Sequence, residues 1–355
     1  MIKHKYDVIG VMSGTSLDGT DIAFIHFEFD GAWHFKIVCF ETIAYSQQWL
    51  SILQNLTSYS SQELKDIDAK YTLYLSTVIN NFIAAHNLKA IDAICSHGHT
   101  ALHEPNKGLT YQIGNEKALA SLTNNKVVCD YRVQDVALGG QGAPLVPIGD
   151  KILFSEYDFC LNLGGFANVS FEENKQRLAF DICPVNIVLN HYAQQLGLDF
   201  DDEGKIASTG KVNAALLETL NALSFYNLKY PKSLGLEWVE KEIFPIVNAG
   251  KVNVKDILRT YVEHSAIQIS KVLIKKENAT IFITGGGAFN KYLISRIKLL
   301  SPTNLIVIPP KDIINYKEAL VFGLLGVLKI RNETNCLSSV TGAKHDHSSG
   351  EIYMP

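Results

Sequence analysis

Closely spaced cysteine pairs are missing from this sequence of 355 residues. The six cysteines lie far apart, and most stand in apolar runs, where cysteine packs as a small hydrophobic side chain. This distribution favours a reducing cytosol over a disulfide framework or a zinc site. The cysteines are Cys39, Cys95, Cys129, Cys160, Cys183 and Cys336.

Long apolar runs and basic blocks are missing as well. The longest apolar run, Ala319 to Leu328, has about half the length of a membrane span. The net charge of −4, with no basic block, argues against nucleic acid or an anionic membrane as a partner. Met1 to Val11 carries Asp7 and no small-residue cleavage site, unlike a signal peptide. We therefore expect a cytoplasmic protein.

The order of predicted elements is duplicated along the chain. Each half contains three strands followed by helix, strand, helix and strand, and extra helices lie between Asp199 and Glu242. This order predicts two mixed α/β domains, residues 1–140 and 141–355, that face a cleft. The Gly/Pro-rich segment from Gly139 to Pro147 is the predicted hinge between them.

Several local predictions can be compared with a structure. Ser60 and Glu63 form a predicted capping box ahead of a long amphipathic helix. The remaining local predictions are Asn115 as the cap of a short helix, Pro184 as the first residue of a helix, Lys317 to Lys329 as a final helix, an irregular segment around His97, His99 and His103, and a solvated tail from His345 to Gly350.

Glycine-rich turns follow predicted strands at three places. The first, Gly10-Val-Met-Ser-Gly-Thr-Ser-Leu-Asp-Gly-Thr-Asp21, is predicted to be a hairpin turn whose backbone N–H groups can close on an anion. No Gly-Lys-Ser/Thr follows, so it is not a Walker A loop. A hairpin without a ligand is the alternative, but three such turns at corresponding strand ends favour a nucleotide. The predicted nucleotide-binding residues are Gly14, Thr15, Ser16, Leu17, Asp18, Gly19, Thr20, Asp21, Gly164, Gly165, Gly285, Gly286 and Gly287.

These motifs resemble those of the anhydro-N-acetylmuramic acid kinase family, in the sugar kinase, actin and heat-shock ATPase superfamily. The matching segments span nearly the whole chain. They are Gly10-Val-Met-Ser-Gly-Thr-Ser-Leu-Asp-Gly19, His97-Gly-His-Thr100, His103-Glu-Pro105, Ala137-Leu-Gly-Gly-Gln-Gly-Ala-Pro-Leu-Val-Pro147, Asn162-Leu-Gly-Gly165, Lys232-Ser233, Gly285-Gly-Gly287 and Ser339-Val-Thr-Gly-Ala343.

The resemblance implies a two-domain actin-like (ribonuclease H-like) ATPase fold, with duplicated mixed-sheet domains around a nucleotide cleft. It implies that ATP, water and 1,6-anhydro-N-acetylmuramic acid give ADP and N-acetylmuramate 6-phosphate, as in cell-wall recycling. ATP and Mg²⁺ would be the cofactors, with Asp18 holding Mg²⁺ through water. Asp181 would be the catalytic base, although alone it could equally be a helix N-cap. A homodimer is consistent with the resemblance, but no stretch marks an interface.

The resemblance also implies a sugar pocket lined by His97, Thr100, Arg132 and Glu318. Arg132 suits a lactyl carboxylate, which a guanidinium can hold with two hydrogen bonds. Its alternative is a surface ion pair with Asp130 or Asp135, and Glu318 could instead be a solvated residue at a helix start. The three histidines invite a metal interpretation, but only Glu104 could complete a ligand set, so hydrogen bonding to sugar is favoured.

The chain departs from the family pattern beside the predicted base. The family usually has Asp-Thr-Gly-Pro-Gly-Asn where this chain has Asp181-Ile-Cys-Pro-Val-Asn186. Cys183 and Val185 replace glycines and are expected to add bulk near sugar or phosphate, and Ile182 removes a hydroxyl. Two alternatives follow: a nucleotide-binding sugar sensor without turnover, or a kinase for another sugar.

Overall fold

The computed structural model describes residues 3–14 and 17–355. Its strands form two large mixed sheets and one small hairpin. The strands are β1 (Lys5–Ser13), β2 (Thr20–Phe29), β3 (Trp33–Ile43), β4 (Ala93–Ser96), β5 (His99–Glu104), β6 (Leu109–Ile113), β7 (Val127–Cys129), β8 (Phe159–Leu163), β9 (Phe166–Glu173), β10 (Gln176–Pro184), β11 (Thr280–Thr284), β12 (Leu305–Val307) and β13 (Glu351–Tyr353).

Helices cover these sheets and form much of the second half of the chain. They are α1 (Gln47–Gln54), α2 (Ser61–Ala85), α3 (Ala118–Thr123), α4 (Val133–Ala137), α5 (Val146–Leu153), α6 (Asn186–Gln194), α7 (Lys205–Thr209), α8 (Ala214–Asn221), α9 (Leu236–Trp238), α10 (Phe244–Asn248), α11 (Val254–Leu273), α12 (Lys291–Leu300), α13 (Lys311–Ile330) and α14 (Ser338–Thr341). In the described part of the chain, no helix is long and apolar enough to cross a membrane.

The two large sheets repeat one topology. The first has the order β13-β7-β4-β1-β2-β3, and the second has the order β10-β9-β8-β11-β12. In each, three antiparallel strands form a meander, and the first strand of the meander also pairs in parallel with a later strand, β4 or β11. A further parallel strand follows, β7 or β12. The duplication predicted from the order of elements is thus present in the strand pairing.

Local sequence accounts for the elements that were predicted best. Along β3, the residues alternate between half-buried and exposed, as burial of one face requires. The capping box at α2 is confirmed, because Ser60 and Glu63 exchange hydrogen bonds between side chain and backbone. Asparagine caps begin α11 at Asn253 and α12 at Asn290.

Close packing of α13 on β1 depends on Gly10. A Cβ atom added at Gly10 would lie 2.0 Å from the carbonyl oxygen of Ala319, which belongs to the backbone and cannot swing away. Gly323, one helical turn further along, lies against Ile25 and Phe27 of β2. Glycine on both elements therefore lets the helix approach the sheet, and this approach fixes the position of Glu318 at the start of the contact.

Replacement of Gly10 by alanine is expected to destabilise the protein by about 3 kcal/mol, the upper end of the usual cost of overpacking, because the contact is with rigid backbone. Urea unfolding followed by far-ultraviolet circular dichroism measures the change. Gly250→Ala is the matched control, since its added Cβ would meet only the Val252 side chain at 3.3 Å. Equal midpoints for the two variants would contradict this account of the packing.

The chain divides into two compact units. The first contains Met1–Leu153 and Tyr316–Pro355, and the second contains Phe154–Asn315. This division differs from the predicted domains 1–140 and 141–355 for a physical reason. Helix α5 joins the first unit because Gly149 packs against Val321, and α13 from Tyr316 onward packs on the first sheet.

Three local predictions are wrong. Pro184 ends β10 instead of beginning a helix, and α6 starts at Asn186. Asn115 does not cap α3; its amide donates to the His97 carbonyl and to Asp130. The histidine segment is not irregular after His97, because β5 pairs with β6.

The predicted solvated tail is also wrong. His347 and Ser349 are buried, and β13 adds an edge strand to the first sheet beside β7. The final helix was predicted at Lys317 to Lys329 and begins earlier, at Lys311, with a kink at Tyr316.

Candidate functional site

The turn between β1 and β2 holds the first predicted nucleotide loop. Thr15 and Ser16 lie outside the described residues. Leu17 has a φ of 63°, an uncommon conformation for a residue with a side chain, and its amide donates to the Gly14 carbonyl. Asp18 is exposed at the turn, whereas Thr20 is fully buried. The turn therefore exposes the Asp18 carboxylate to solvent, and β2 begins with the buried side chain of Thr20.

A buried cluster of hydroxyl and imidazole groups lies beneath this turn. The Ser13 hydroxyl accepts from Tyr71 at 2.8 Å and contacts Nδ1 of His99 at 2.8 Å. The Tyr45 hydroxyl joins Ser13, Tyr71 and Thr20 in the same cluster. Burial lowers the pKa of His99 to about 4, so this ring is neutral at pH 7. Sequence analysis missed the cluster because its members come from four separate elements and the loop between β3 and α1.

Asp21 faces the neighbouring strand from β2. Its carboxylate accepts from the Thr42 hydroxyl at 2.6 Å, and that hydroxyl also contacts Tyr316 at 3.1 Å. Burial raises the pKa of Asp21; the bond from Thr42 opposes this, and the charge of Asp18 adds to it. Asp21 is therefore held on the sheet by a side-chain partner.

His97 and Arg132 form a direct pair. Nε of Arg132 donates to Nε2 of His97 at 2.9 Å, and His97 Nδ1 lies 2.8 Å from the Gly98 carbonyl. These partners require the neutral ring with its proton on Nδ1. Burial and the Arg132 charge lower the pKa of His97 well below its usual range, consistent with that tautomer. Both ring nitrogens are occupied, so His97 is a positioning partner of Arg132.

The predicted histidine group does not converge on one point. His99 faces Ser13, whereas Nδ1 of His103 contacts the Thr110 hydroxyl at 3.1 Å. Thr100, the other predicted sugar contact, lies between them on β5 opposite Gln112. Among the described residues, the group that could hold a metal ion is a different one, at Asp135, Cys336 and His347.

Arg132 contributes a buried positive charge to this region. It precedes α4, and its Nη1 donates to the Gly142 carbonyl at 2.6 Å. Burial lowers the pKa of Arg132 to about 10, and Glu318 opposes that shift, so the guanidinium stays charged at pH 7. The alternative partner Asp135 accepts instead from the Gly142 amide at 2.7 Å. The Gly139–Gly142 loop is therefore tied to Arg132 through its carbonyl and to Asp135 through its amide.

Glu318 lies near Arg132 and Asp21. Solvent reaches its side chain, yet the surrounding protein removes enough water to raise the pKa of Glu318. Arg132 opposes this rise and Asp21 adds to it. The first unit thus brings Asp21, Arg132 and Glu318 within electrostatic range from three different elements.

Asp130, two residues before Arg132, provides a pH-dependent test of the region. Burial raises the pKa of Asp130 from 3.8 to about 6, while the bond from Asn115 opposes the shift. Between these values the folded state keeps a proton that the unfolded state has lost, so stability falls as pH rises. Asp130→Asn is expected to remove this fall and to add about 1–3 kcal/mol at pH 7.

The Asp130→Asn variant also suits the backbone, because Asp130 has a φ of 57° and asparagine tolerates that conformation. Urea denaturation at intervals from pH 3.5 to 7.5 gives the measurement. Asp66→Asn, on the exposed face of α2, serves as the control. Parallel pH profiles for wild type and Asp130→Asn would contradict the assigned pKa.

In the second unit the two other glycine turns meet. The turn after β8 carries Gly164 and Gly165, whose carbonyls accept from Asn186 N and Val185 N at the start of α6. Gly285 follows β11 with a φ of 80°, and a Cβ there would lie 2.5 Å from the Asn162 side chain. Gly286 and Gly287 continue this turn beside the side-chain amide of Asn186. Glycine is therefore required at Gly285 and Gly287, where an added Cβ would lie 2.5 Å from Asn162 and 2.7 Å from Leu163.

Asp181 lies on β10 in the same unit. Its carboxylate accepts from the Leu234 amide at 2.8 Å, and its own amide donates to the Lys232 carbonyl at 3.0 Å. Burial raises the pKa of Asp181, and the bond from Leu234 opposes that rise. Asp181 is therefore held by the Lys232-Ser233 motif, and it is no helix cap, because the helix begins at Asn186.

The two residues that replace family glycines lie in the core of the second unit. Cys183 and Val185 are both fully buried and belong to the hydrophobic core of the second unit, with Val188, Tyr261 and Ile269. A register irregularity between Asp181 and Cys183 turns the strand at this point. Both side chains therefore fill the core beside β10.

Comparison with known proteins identifies the family. The model of the family "Anhydro-N-acetylmuramic acid kinase" matches residues 6–355. A protein of that name from Shewanella putrefaciens is 33% identical, covering 97% of each chain. One from Pseudomonas syringae pv. syringae is 34% identical, covering 97% of this chain and 98% of the relative. A third, from Sulfurovum sp., is 32% identical and covers both chains fully.

These matches extend through both compact units and all three glycine turns. The two sheets of common topology give the α/β actin-like ATPase fold that the sequence motifs predicted. The chain therefore belongs to the anhydro-N-acetylmuramic acid kinase family.

Proposed function

We propose that this protein uses ATP and water to open the 1,6-anhydro ring of anhydro-N-acetylmuramic acid and to phosphorylate its 6-oxygen. The product is N-acetylmuramate 6-phosphate, an intermediate of cell-wall recycling. The observation that carries this proposal is the family match over residues 6–355. The state of Asp181, a carboxylate with a raised pKa and a fixed orientation, supports it.

Asp181 is the general base of this mechanism. It takes a proton from water, whose oxygen attacks the anomeric carbon of the sugar. The bond between that carbon and the 6-oxygen breaks, and the 6-oxygen attacks the γ-phosphoryl group. One carboxylate is enough, because phosphorus captures the departing oxygen, unlike in most glycosidases, where a second carboxyl protonates it. The raised pKa of Asp181 makes it a stronger base than an ordinary aspartate.

The sugar is held by groups of the first unit. Arg132 binds the lactyl carboxylate, while His97 fixes the orientation of its guanidinium. Thr100 and Glu318 supply hydrogen-bonding groups for the sugar ring. The raised pKa of Glu318 leaves it able to exchange a proton with a hydroxyl, so it is the second choice for the base.

ATP is bound by the glycine turns. Backbone N–H groups near Gly14 and Gly164 suit phosphate oxygens, and the turn at Gly285 suits the adenosine. The exposed carboxylate of Asp18 fits Mg²⁺ held through water, with Asp21 nearby to share the charge. When bound, Mg²⁺ would neutralise charge on the phosphates. ATP use follows from kinase membership, whereas the Mg²⁺ contact is specific to this proposal.

Asp18→Ala is expected to raise the Mg²⁺ concentration required for half-maximal activity by about tenfold or more, as for other outer-shell groups of metal sites. A Mg²⁺ titration of ADP release at saturating sugar gives the measurement. Asp30→Ala is the matched control, because Asp30 occupies the exposed turn of the next hairpin. If the two variants show the same Mg²⁺ dependence, the Asp18 assignment is wrong.

A sugar sensor without turnover is the alternative from another class. It depends on Cys183 and Val185 obstructing the site, and their burial in the core of the second unit argues against that obstruction. A kinase for another anhydro sugar is the remaining alternative. Coupled ADP release separates them: turnover on anhydro-N-acetylmuramic acid excludes the sensor, and ATP binding without turnover on any anhydro sugar favours it.

A further inference from the structure

A buried group of metal-ligating side chains lies behind the Gly139–Gly142 loop and takes no part in the proposed reaction. Its members are Asp135 of α4, Cys336 after α13, and His347 in the C-terminal segment. All three are buried, at 0%, 1% and 5% exposure. Their candidate ligand atoms all lie within 4.8 Å of one another.

The distances are close to those of a tetrahedral zinc site. Oδ1 of Asp135 is 3.0 Å from Sγ of Cys336 and 3.6 Å from Nε2 of His347. Zinc binds such atoms at about 2.0–2.3 Å, which places neighbouring ligand atoms about 3.3–3.8 Å apart. Small adjustments of side chains would therefore bring the three atoms around one ion.

His347 provides the second, independent observation. Its Nδ1 lies 3.1 Å from the His345 carbonyl, which fixes the ring proton on that nitrogen. Nε2 is buried and has no hydrogen-bond partner within the described chain. Its lone pair then faces the Asp135 carboxylate, so two acceptors confront each other. The two atoms are 3.6 Å apart, and Oδ1 already accepts from Cys336 and Thr341. A metal ion would give the Nε2 lone pair the partner that it lacks among the described residues, and a second proton on His347 is the alternative.

The surroundings match the outer shell of a metal site. The other oxygen of Asp135 accepts from the Gly142 amide at 2.7 Å, and Thr341 donates to Oδ1 at 2.7 Å. Cys336 and His347 are held in register by backbone hydrogen bonds in both directions. Ligands are therefore oriented before any ion arrives.

Charge favours a dication here. A carboxylate and a thiolate together carry two negative charges, which one divalent ion neutralises, as a fully buried site requires. Arg132 is near Asp135 but directs its guanidinium at His97 and Gly142. On binding, the Cys336 S–H bond breaks, its proton goes to solvent, and the sulfur pairs with the metal. The sequence pointed away from zinc because these three ligands share no close spacing.

We propose that Asp135, Cys336 and His347 bind a structural divalent ion of the zinc class, with water in the fourth position. The ion would join α4, the segment after α13 and the C-terminal segment. Asp135 also accepts from the Gly142 amide. The bound ion would therefore stiffen the Gly139–Gly142 loop, which contacts Arg132.

The test is the metal content of the full chain, produced in medium supplied with Zn²⁺ or with Co²⁺ so that the ion can enter during folding. We expect about one ion per chain, and in the cobalt protein a thiolate-to-cobalt charge-transfer band. Cys336→Ser should lose the band, and His347→Gln should lose the ion. Cys39→Ser, which removes a half-exposed thiol elsewhere in the first unit, should retain both.

Circular dichroism first establishes that each variant is folded. The proposal would be overturned if wild type contained no metal and nitrogen-15 NMR at pH 7 showed a doubly protonated His347 ring. A proton would then occupy the place between His347 and Asp135 that the proposal gives to the ion. An unchanged cobalt band in Cys336→Ser would overturn it equally, since the thiolate would come from another cysteine. Two other results would support the proposal. One is a variant that fails to fold even when metal is supplied, and the other is a wild type that is folded but has a lower melting temperature after chelation.

Discussion

Asp181→Asn is expected to lower turnover of anhydro-N-acetylmuramic acid by about a hundredfold or more, the usual effect of losing a general base. Affinity for ATP should change little. Asparagine keeps the shape of aspartate and can still accept from the Leu234 amide, so the local structure is preserved. Only the basicity of the side chain is removed. Steady-state ADP release and calorimetric ATP binding measure the two quantities.

Labelled water distinguishes this mechanism from simpler ones. In water enriched in oxygen-18, the label should enter the anomeric oxygen of the product and be absent from the phosphate. An ATPase would place it in free phosphate, and an ordinary hexose kinase would place it in neither. Glu173→Gln is a matched control, because this exposed carboxylate of β9 contacts only the Tyr230 hydroxyl among the hydrogen bonds described. Near-normal turnover by Asp181→Asn would move the assignment to Glu318.

The acid limb of the pH–rate profile offers a second readout of the same residue. Burial raises the pKa of Asp181. As the pH is lowered, turnover should therefore begin to fall at a higher pH than it would with an ordinary aspartate as the base. The limb should disappear in the small residual activity of Asp181→Asn. If the variant kept the acid limb, the titrating group would be a residue other than Asp181.

Much of the fold could be predicted because its signals are local. The three-strand meander, the capped helix α2 and the glycine turns each depend on neighbours in sequence. Strand pairing is a different matter: the parallel contact of β1 with β4 joins residues far apart, and only the duplicated order suggested it. β13 was missed because three residues in a polar tail carry no periodic signal.

The candidate site was predictable only as far as motifs reach. Motifs located Asp181, Arg132 and the glycine turns, but they could not show which way a side chain points. Cys183 and Val185 illustrate this limit, because the motif does not reveal that both side chains lie in the core of the second unit. The Ser13 cluster is another case, since its partners meet only after the first sheet and α2 have packed.

Arg132 is expected to determine selectivity for the lactyl group. Arg132→Lys keeps the positive charge, but it loses the planar fork and the bond from Nε to His97. Each charge-assisted hydrogen bond contributes about 1.5–3 kcal/mol, so kcat/KM for anhydro-N-acetylmuramic acid should fall by about 10- to 100-fold. The kcat/KM of Arg132→Ala should fall further, because this variant also leaves the Gly142 carbonyl without the Arg132 donor.

A substrate that lacks the lactyl group supplies the control. 1,6-Anhydro-N-acetylglucosamine has the same ring and no carboxylate, so wild type should use it poorly and Arg132→Lys should change its kcat/KM little. The variant therefore loses discrimination between the two sugars, mainly through KM, while its melting temperature stays close to that of wild type. Equal losses on both sugars would mean that Arg132 supports the Gly139–Gly142 loop and does not read the carboxylate. The lactyl contact would then have to be sought at another cation of the first unit.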